Sequence, residues 1–387
     1  MTSTSRRASG LILLSTLFTM FAVQASAFAQ APDRSAANAK ARKIDELMTL
    51  YNSLGGFGGA VLVAEKGEVI FKKGYGLANM EWEIPNAPDT KFRLGSITKQ
   101  FTSMLIMQLV EQGKLKLDGK ITDYLPDYRK DTGDRVTVHH LLTHTSGIPS
   151  YTDQPGFFQN VSRNPYKVAD FVAKYASGDL LFEPGSKFAY NNSGYFLLGA
   201  IIEKITGKPY EEVLKEKIFD PLGMKSSGYD HSDTILKKRA SGYQRGPGGI
   251  INAPYLDMSL PYAAGSLYST VEDLYLWDQA LYTDKLISAK SKELIYKPLL
   301  DNYAYGWNVG RAQVGNTSET VASIGHGGGI NGFNTLIKRL VDDRHLIVLL
   351  NNTGGAKLEE MSRSIAAILY GKTYDLPKAP GTVQPAK

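Results

Sequence analysis

Apolar positions along the chain change their spacing twice. Over 36–52 they recur at helical intervals and predict a helix. Gly59-Ala60-Val61-Leu62-Val63-Ala64 and Val69-Ile70-Phe71 then flank Lys66-Gly67, which is a hairpin signal. Helical periods follow at 96–112, 194–205, 210–219 and 271–281, separated by loops that carry Gly and Pro. Beyond them, short runs rich in Val, Ile, Leu or aromatics and bounded by Gly or Asn predict strands at 303–309, 320–325, 333–340 and 345–350. A last helix is expected over 357–370, and the three prolines of the tail from Thr373 predict disorder there.

Strands at both ends with helices between them predict a mixed α/β (α+β) fold. In it an antiparallel sheet, built from both chain ends and flanked by helices, receives an inserted helical region. The expected boundaries are one domain over 36–372, with 36–95 and 290–372 forming the sheet part and 96–289 the mainly helical part; 373–387 is the tail. A cleft is expected where the two parts meet.

The first residues follow another rule. Arg6 and Arg7 precede an apolar run from Leu11 to Val23, and Ala25-Ser26-Ala27 and Ala27-Phe28-Ala29 offer small-residue cleavage sites. Residues 1–29 therefore predict a signal peptide, and with it an exported protein, periplasmic or secreted, without a transmembrane anchor after processing. Lys plus Arg number 44 against 38 Asp plus Glu, both signs interspersed, so no nucleic-acid partner is expected. A monomer is expected. The chain has no cysteine, which excludes thiol catalysis and thiolate metal sites, and its six histidines show no His-Glu-x-x-His spacing. Neither a metal nor an organic cofactor is predicted.

Three segments carry candidate chemistry. In Gly95-Ser96-Ile97-Thr98-Lys99, Ser96 stands where a helix begins, and Lys99 shares its face one turn later. A lysine whose charge is disfavoured by burial can take the proton that makes a serine hydroxyl nucleophilic. An N-capping serine followed by a solvated lysine gives the same spacing, but the helix opened here is apolar along most of its length. Tyr190-Asn191-Asn192 precedes the next helix. It reads either as a cap or as proton-relay and amide groups, Tyr190 holding the Ser96 proton with its phenolate favoured by the lysine, Asn192 orienting lysine and substrate. In Ile324-Gly325-His326-Gly327-Gly328-Gly329, glycines between two predicted strands suit a turn, or close approach to a substrate, with the Gly329 and Ser96 N–H groups forming an oxyanion hole.

In this order the three segments resemble the active-site motifs of the serine β-lactamase and penicillin-binding-protein superfamily, and look closest to its class C-like branch. Leu141-Leu142-Thr143-His144-Thr145-Ser146-Gly147, Pro221-Leu222-Gly223-Met224 and Ala263-Ala264-Gly265-Ser266 extend the resemblance across roughly residues 40–370. It implies a β-lactamase/transpeptidase-like fold. It also implies an acyl-enzyme on Ser96, with Lys99 and Tyr190 catalytic and with Asn192, His326, Gly328 and Gly329 binding substrate or the oxyanion. Where true class C enzymes carry Lys-Thr-Gly this chain has His326-Gly327-Gly328, so a cation for a substrate carboxylate is missing. The expected substrate is then a small molecule or peptide: an ester or D-amino-acid peptide, with weak action on β-lactams. The alternative is a penicillin- or peptidoglycan-binding module that acylates without efficient turnover. Aromatics such as Tyr151, Phe157, Phe158 and Tyr262 either favour an apolar substrate group or belong to the core.

Overall fold

A computed structural model describes residues 34–378; the expected signal peptide and residues 379–387 lie outside the described residues. Helix α1 (Arg34–Ser53) leads into strands β1 (Gly59–Glu65) and β2 (Glu68–Tyr75), joined by the Lys66-Gly67 turn. The middle of the chain contributes α2 (Thr98–Glu111), α3 (Asn192–Thr206) and α4 (Val271–Leu281). Strands β3 (Asn308–Gln313), β4 (Thr320–Ile330), β5 (Phe333–Leu340) and β6 (His345–Asn351) follow, then α5 (Leu358–Tyr370). The six strands form one antiparallel sheet in the order β3-β4-β5-β6-β1-β2. Both chain ends therefore meet inside the sheet, where β1 pairs with β6.

Those two strands read as unbroken apolar runs because both of their faces are covered. Val61 and Val63 point to one side, where Ile44, Leu47 and Met48 of α1 and Ile365 and Leu369 of α5 pack on them. Ala60, Leu62 and Ala64 point to the other, toward Leu274 and Trp277 of α4. The period of two in a strand divides one run between two cores. A buried ion pair ties this second layer down: Arg339 of β5 donates through Nε to Asp278 of α4 at 2.6 Å, both side chains almost wholly enclosed. Among the described residues no helix is long and apolar enough to cross a membrane.

Four expectations change. Residues 303–307 are not a strand: Tyr303, Ala304, Tyr305 and Trp307 are buried in a bend wedged beneath α2, and the edge strand begins at Asn308. Their apolar content marks burial, not extension. Strand β4 continues through the glycines to Ile330, so the turn is Asn331-Gly332, and His326 to Gly329 sit in register with Ile337 to Asn334. The helix predicted over 210–219 is regular only from Tyr210 to Leu214 and widens over Lys215–Phe219. In the tail, the Asn316 N–H donates to the Thr373 carbonyl at 3.2 Å, so the chain is held at least to that point.

Candidate active site

Ser96 lies in a single tight turn, Gly95–Ile97, immediately before α2. Gly95 makes that turn with φ +56, and a Cβ built on it would sit 2.9 Å from the Gly329 nitrogen. Only glycine permits both the left-handed backbone and this approach. The Ser96 turn is thereby pressed against β4, and the Thr335 hydroxyl fixes it from below by donating to the Leu94 carbonyl at 2.6 Å.

Lys99 follows in the first turn of α2 and is completely buried. Its Nζ has three partners: Ser96 Oγ at 3.1 Å, Asn192 Oδ1 at 2.8 Å and the Ala264 carbonyl at 2.9 Å. Burial holds its pKa well below the ordinary 10.5. A neutral amine has two N–H donors and one lone pair. Asn192 Oδ1 and the Ala264 carbonyl can only accept, so they take the two protons, and the lone pair is left for the Ser96 hydroxyl. The same three partners would leave an ammonium fully donated but with no basic site.

Asn192, the first residue of α3, is held at both ends. Its N–H donates to Ser150 Oγ at 3.1 Å and its Nδ2 to Thr152 Oγ1 at 3.1 Å, while Asn191 caps the helix by accepting from the Gly194 N–H at 2.8 Å. Tyr190 stands beside Ser96, close enough for Ser96 to influence its titration, and its ring lies 4.9 Å from Lys99 Nζ. Here the expected phenolate is corrected. Burial pushes the Tyr190 hydroxyl above its usual range, so with little positive charge on Lys99 the phenol keeps its proton.

His326 is buried behind these groups, its ring 6.2 Å from that of Tyr190. Its Nδ1 lies 2.5 Å from the Gly327 carbonyl, which can only accept, so Nδ1 carries the hydrogen and Nε2 accepts from the Tyr303 hydroxyl at 3.0 Å. Burial, with the nearby Lys99, lowers its pKa to about 4. The ring is neutral at pH 7 and offers no cation.

A cleft of about 360 Å³ opens over Ser96, Asn192 and Gly329, with Tyr151, Phe157 and Phe158 along its wall. Two larger hollows, of about 980 and 920 Å³, contain none of the candidate residues. Gly328 faces the other way: a Cβ there would meet the Leu94 carbonyl at 1.9 Å. It seats the Ser96 turn and does not line the cleft. Tyr262 is core, its ring 4.7 Å from that of Phe196.

The sequence reading missed several supports. The Ala264 carbonyl, Ser150 and Thr152 were given no part. His144 was quoted only within a resemblance, yet it grips the Tyr190 loop twice: its Nδ1 accepts from the Asn191 N–H at 3.0 Å and its carbonyl from the Ala189 N–H at 2.8 Å. The runs Thr143 to Gly147 and Ser150 to Thr152 hinted at a polar turn near the site, but hydrogen bonds to backbone atoms leave no mark in the sequence.

The Beta-lactamase family model matches residues 41–370. The chain belongs to the β-lactamase family. Penicillin-binding protein 4* of Bacillus subtilis (strain 168) is 32% identical over 368 residues, covering 88% of this chain and 79% of its own. Esterase EstB of Burkholderia gladioli is 34% identical over 184 residues, 44% of this chain and 47% of its own. The solved D-amino acid amidase of Ochrobactrum anthropi SV3 superimposes with a TM-score of 0.74 at 25% identity, covering 86% of this chain and 99% of its own. This β-lactamase-family protein is a serine hydrolase of the superfamily that includes the penicillin-binding proteins, and its sheet and helices have the β-lactamase/transpeptidase-like fold.

Proposed function

We propose that this hydrolase is exported and works through an acyl-enzyme on Ser96, cleaving an ester or an amide of the D-amino-acid peptidase type, with at most weak action on β-lactams. The observation that carries the reading is the trio around Lys99 Nζ, which satisfies two donors and leaves a lone pair for Ser96 Oγ. Ser96 Oγ attacks the carbonyl carbon while its proton passes to Lys99, with Tyr190 adjoining both. Negative charge on the carbonyl oxygen is met by the Ser96 and Gly329 N–H groups. The bond to the leaving group then breaks, and Tyr190, resupplied by Lys99, returns the proton to it. Water cleaves the ester on Ser96 by the reverse proton path. The neutral His326 in place of a lysine supports uncharged substrates, and the esterase and amidase among the relatives make such reactions familiar to the fold. Export is supported by the apolar run behind Arg6 and Arg7.

Hydrolysis of p-nitrophenyl acetate across pH tests the reading. A base must be unprotonated to act, so kcat/KM should rise with pH through the lowered pKa of Lys99 and reach its plateau well below pH 10.5. Lys99→Ala should lose about 10²–10⁴-fold. A flat profile, or wild-type rates in Lys99→Ala, contradicts the role of Lys99. Acylation without product release establishes the non-turnover module instead.

A further inference from the structure

We infer that the cleft beside Ser96 is an acyl pocket for an uncharged aromatic or branched apolar group, an inference that rests on the acyl-enzyme reading above. Its wall is built from Tyr151, Phe157, Phe158, Leu256, Leu260 and Pro261, and no lining side chain carries a charge. Tyr151 and Phe157 are core residues whose rings lie 5.1 Å apart, so this wall is fixed. Phe158 stands edge-on to Phe157 at 5.3 Å and is 50% exposed. Its exposed face lies at the mouth of the cleft, where an apolar substrate group would cover it and remove that surface from water.

Which half of the substrate enters follows from where the proton is. The leaving group departs beside the group that protonates it, and Tyr190 is not part of this lining, whereas Ser96, Asn192 and Gly329 are. The pocket therefore receives the portion that stays on Ser96. At about 360 Å³ it is near the lower end of ligand pockets, roughly 300–1,000 Å³, and suits a ring or short branched chain more than a long peptide. A carboxylate there would lose its water without gaining a cation to pair with.

The test uses p-nitrophenyl acetate, phenylacetate and hemisuccinate, which share a leaving group and so report the acyl half alone. Burying a phenyl group gains about 1.5–3 kcal/mol, so kcat/KM for phenylacetate should exceed that for acetate by roughly 10- to 100-fold, with hemisuccinate below acetate. Phe158→Ala, which removes an exposed ring and hollows no core, should lower the phenylacetate-to-acetate ratio several-fold. Ile330→Arg, adding a cation to the lining, should raise the hemisuccinate-to-acetate ratio. If Ser96-dependent acetate hydrolysis is present but phenylacetate is no better, or hemisuccinate is preferred, the pocket assignment is overturned and the acyl-enzyme reading stands. If ester cleavage is absent, or persists in Ser96→Ala, both fall.

Discussion

The Ser96–Lys99 pair was legible because residues three apart on a helix share a face, and Asn192 and Tyr190 were legible as polar groups at the head of an apolar helix. What the side chains do to one another was not legible. Whether Tyr190 is a phenolate or a phenol depends on how far its hydroxyl is stripped of water, and that desolvation raises its pKa. His326 is the clearest case, since its neutrality comes from burial and the nearby Lys99, which outweigh the Gly327 carbonyl that favours the protonated ring. It has a thermodynamic signature. The folded protein takes up a proton on His326 only near pH 4, whereas an unfolded histidine does so near 6.5, so the unfolded state binds more protons between these values. The contribution is full above pH 6.5 and is lost as pH falls toward 4, amounting to about 3 kcal/mol. His139, His140, His144 and His345 are lowered as well and act in the same direction. Urea midpoints between pH 7 and 4 should fall steeply in the wild type and less in His326→Gln; equal slopes would mean that His326 is not buried neutral.

At the scale of elements, helices were read more closely than strand ends. The Val271–Leu281 helix was predicted residue for residue, since an amphipathic period over three turns has little competition. The glycines of 327–329 read either as a turn or as close approach to a substrate, although a turn signal, Asn331-Gly332, lay only two residues on. Glycine there serves approach. The strand must pass close to Leu94 for the Ser96 turn to rest on it, and a side chain would hold the two apart. The three positions are thus unequal. A Cβ at Gly328 would strike the Leu94 carbonyl at 1.9 Å, but at Gly327 it would meet only the Thr335 carbonyl at 3.7 Å. Gly328→Ala should cost about 1–3 kcal/mol and most of the activity, while Gly327→Ala leaves stability near wild type. Thermal melts and ester hydrolysis on the two variants check this, and equal behaviour would mean that the strand does not set the Ser96 turn.

For the whole molecule, strands at both ends and helices between were enough to foresee one antiparallel sheet closed by the two halves of the chain. The buried Arg339–Asp278 pair that ties the sheet to α4 was not foreseeable, because an arginine in a strand reads as a solvent-facing residue and its partner is 61 positions away. The site shares this dependence on distant partners: Ser96 precedes α2, Asn192 opens α3, Ala264 comes from the short helix Tyr262–Gly265 and Gly329 from β4. Chemistry assembled from four separated segments has one simple readout, the mass of the intact chain after exposure to a serine-directed covalent inhibitor, either a β-lactam, which acylates, or an aryl fluorophosphonate, which phosphonylates with loss of fluoride. Wild-type protein should gain the mass of a single adduct, on Ser96, and Ser96→Ala should gain none; an adduct retained by Ser96→Ala would contradict the assignment of the nucleophile.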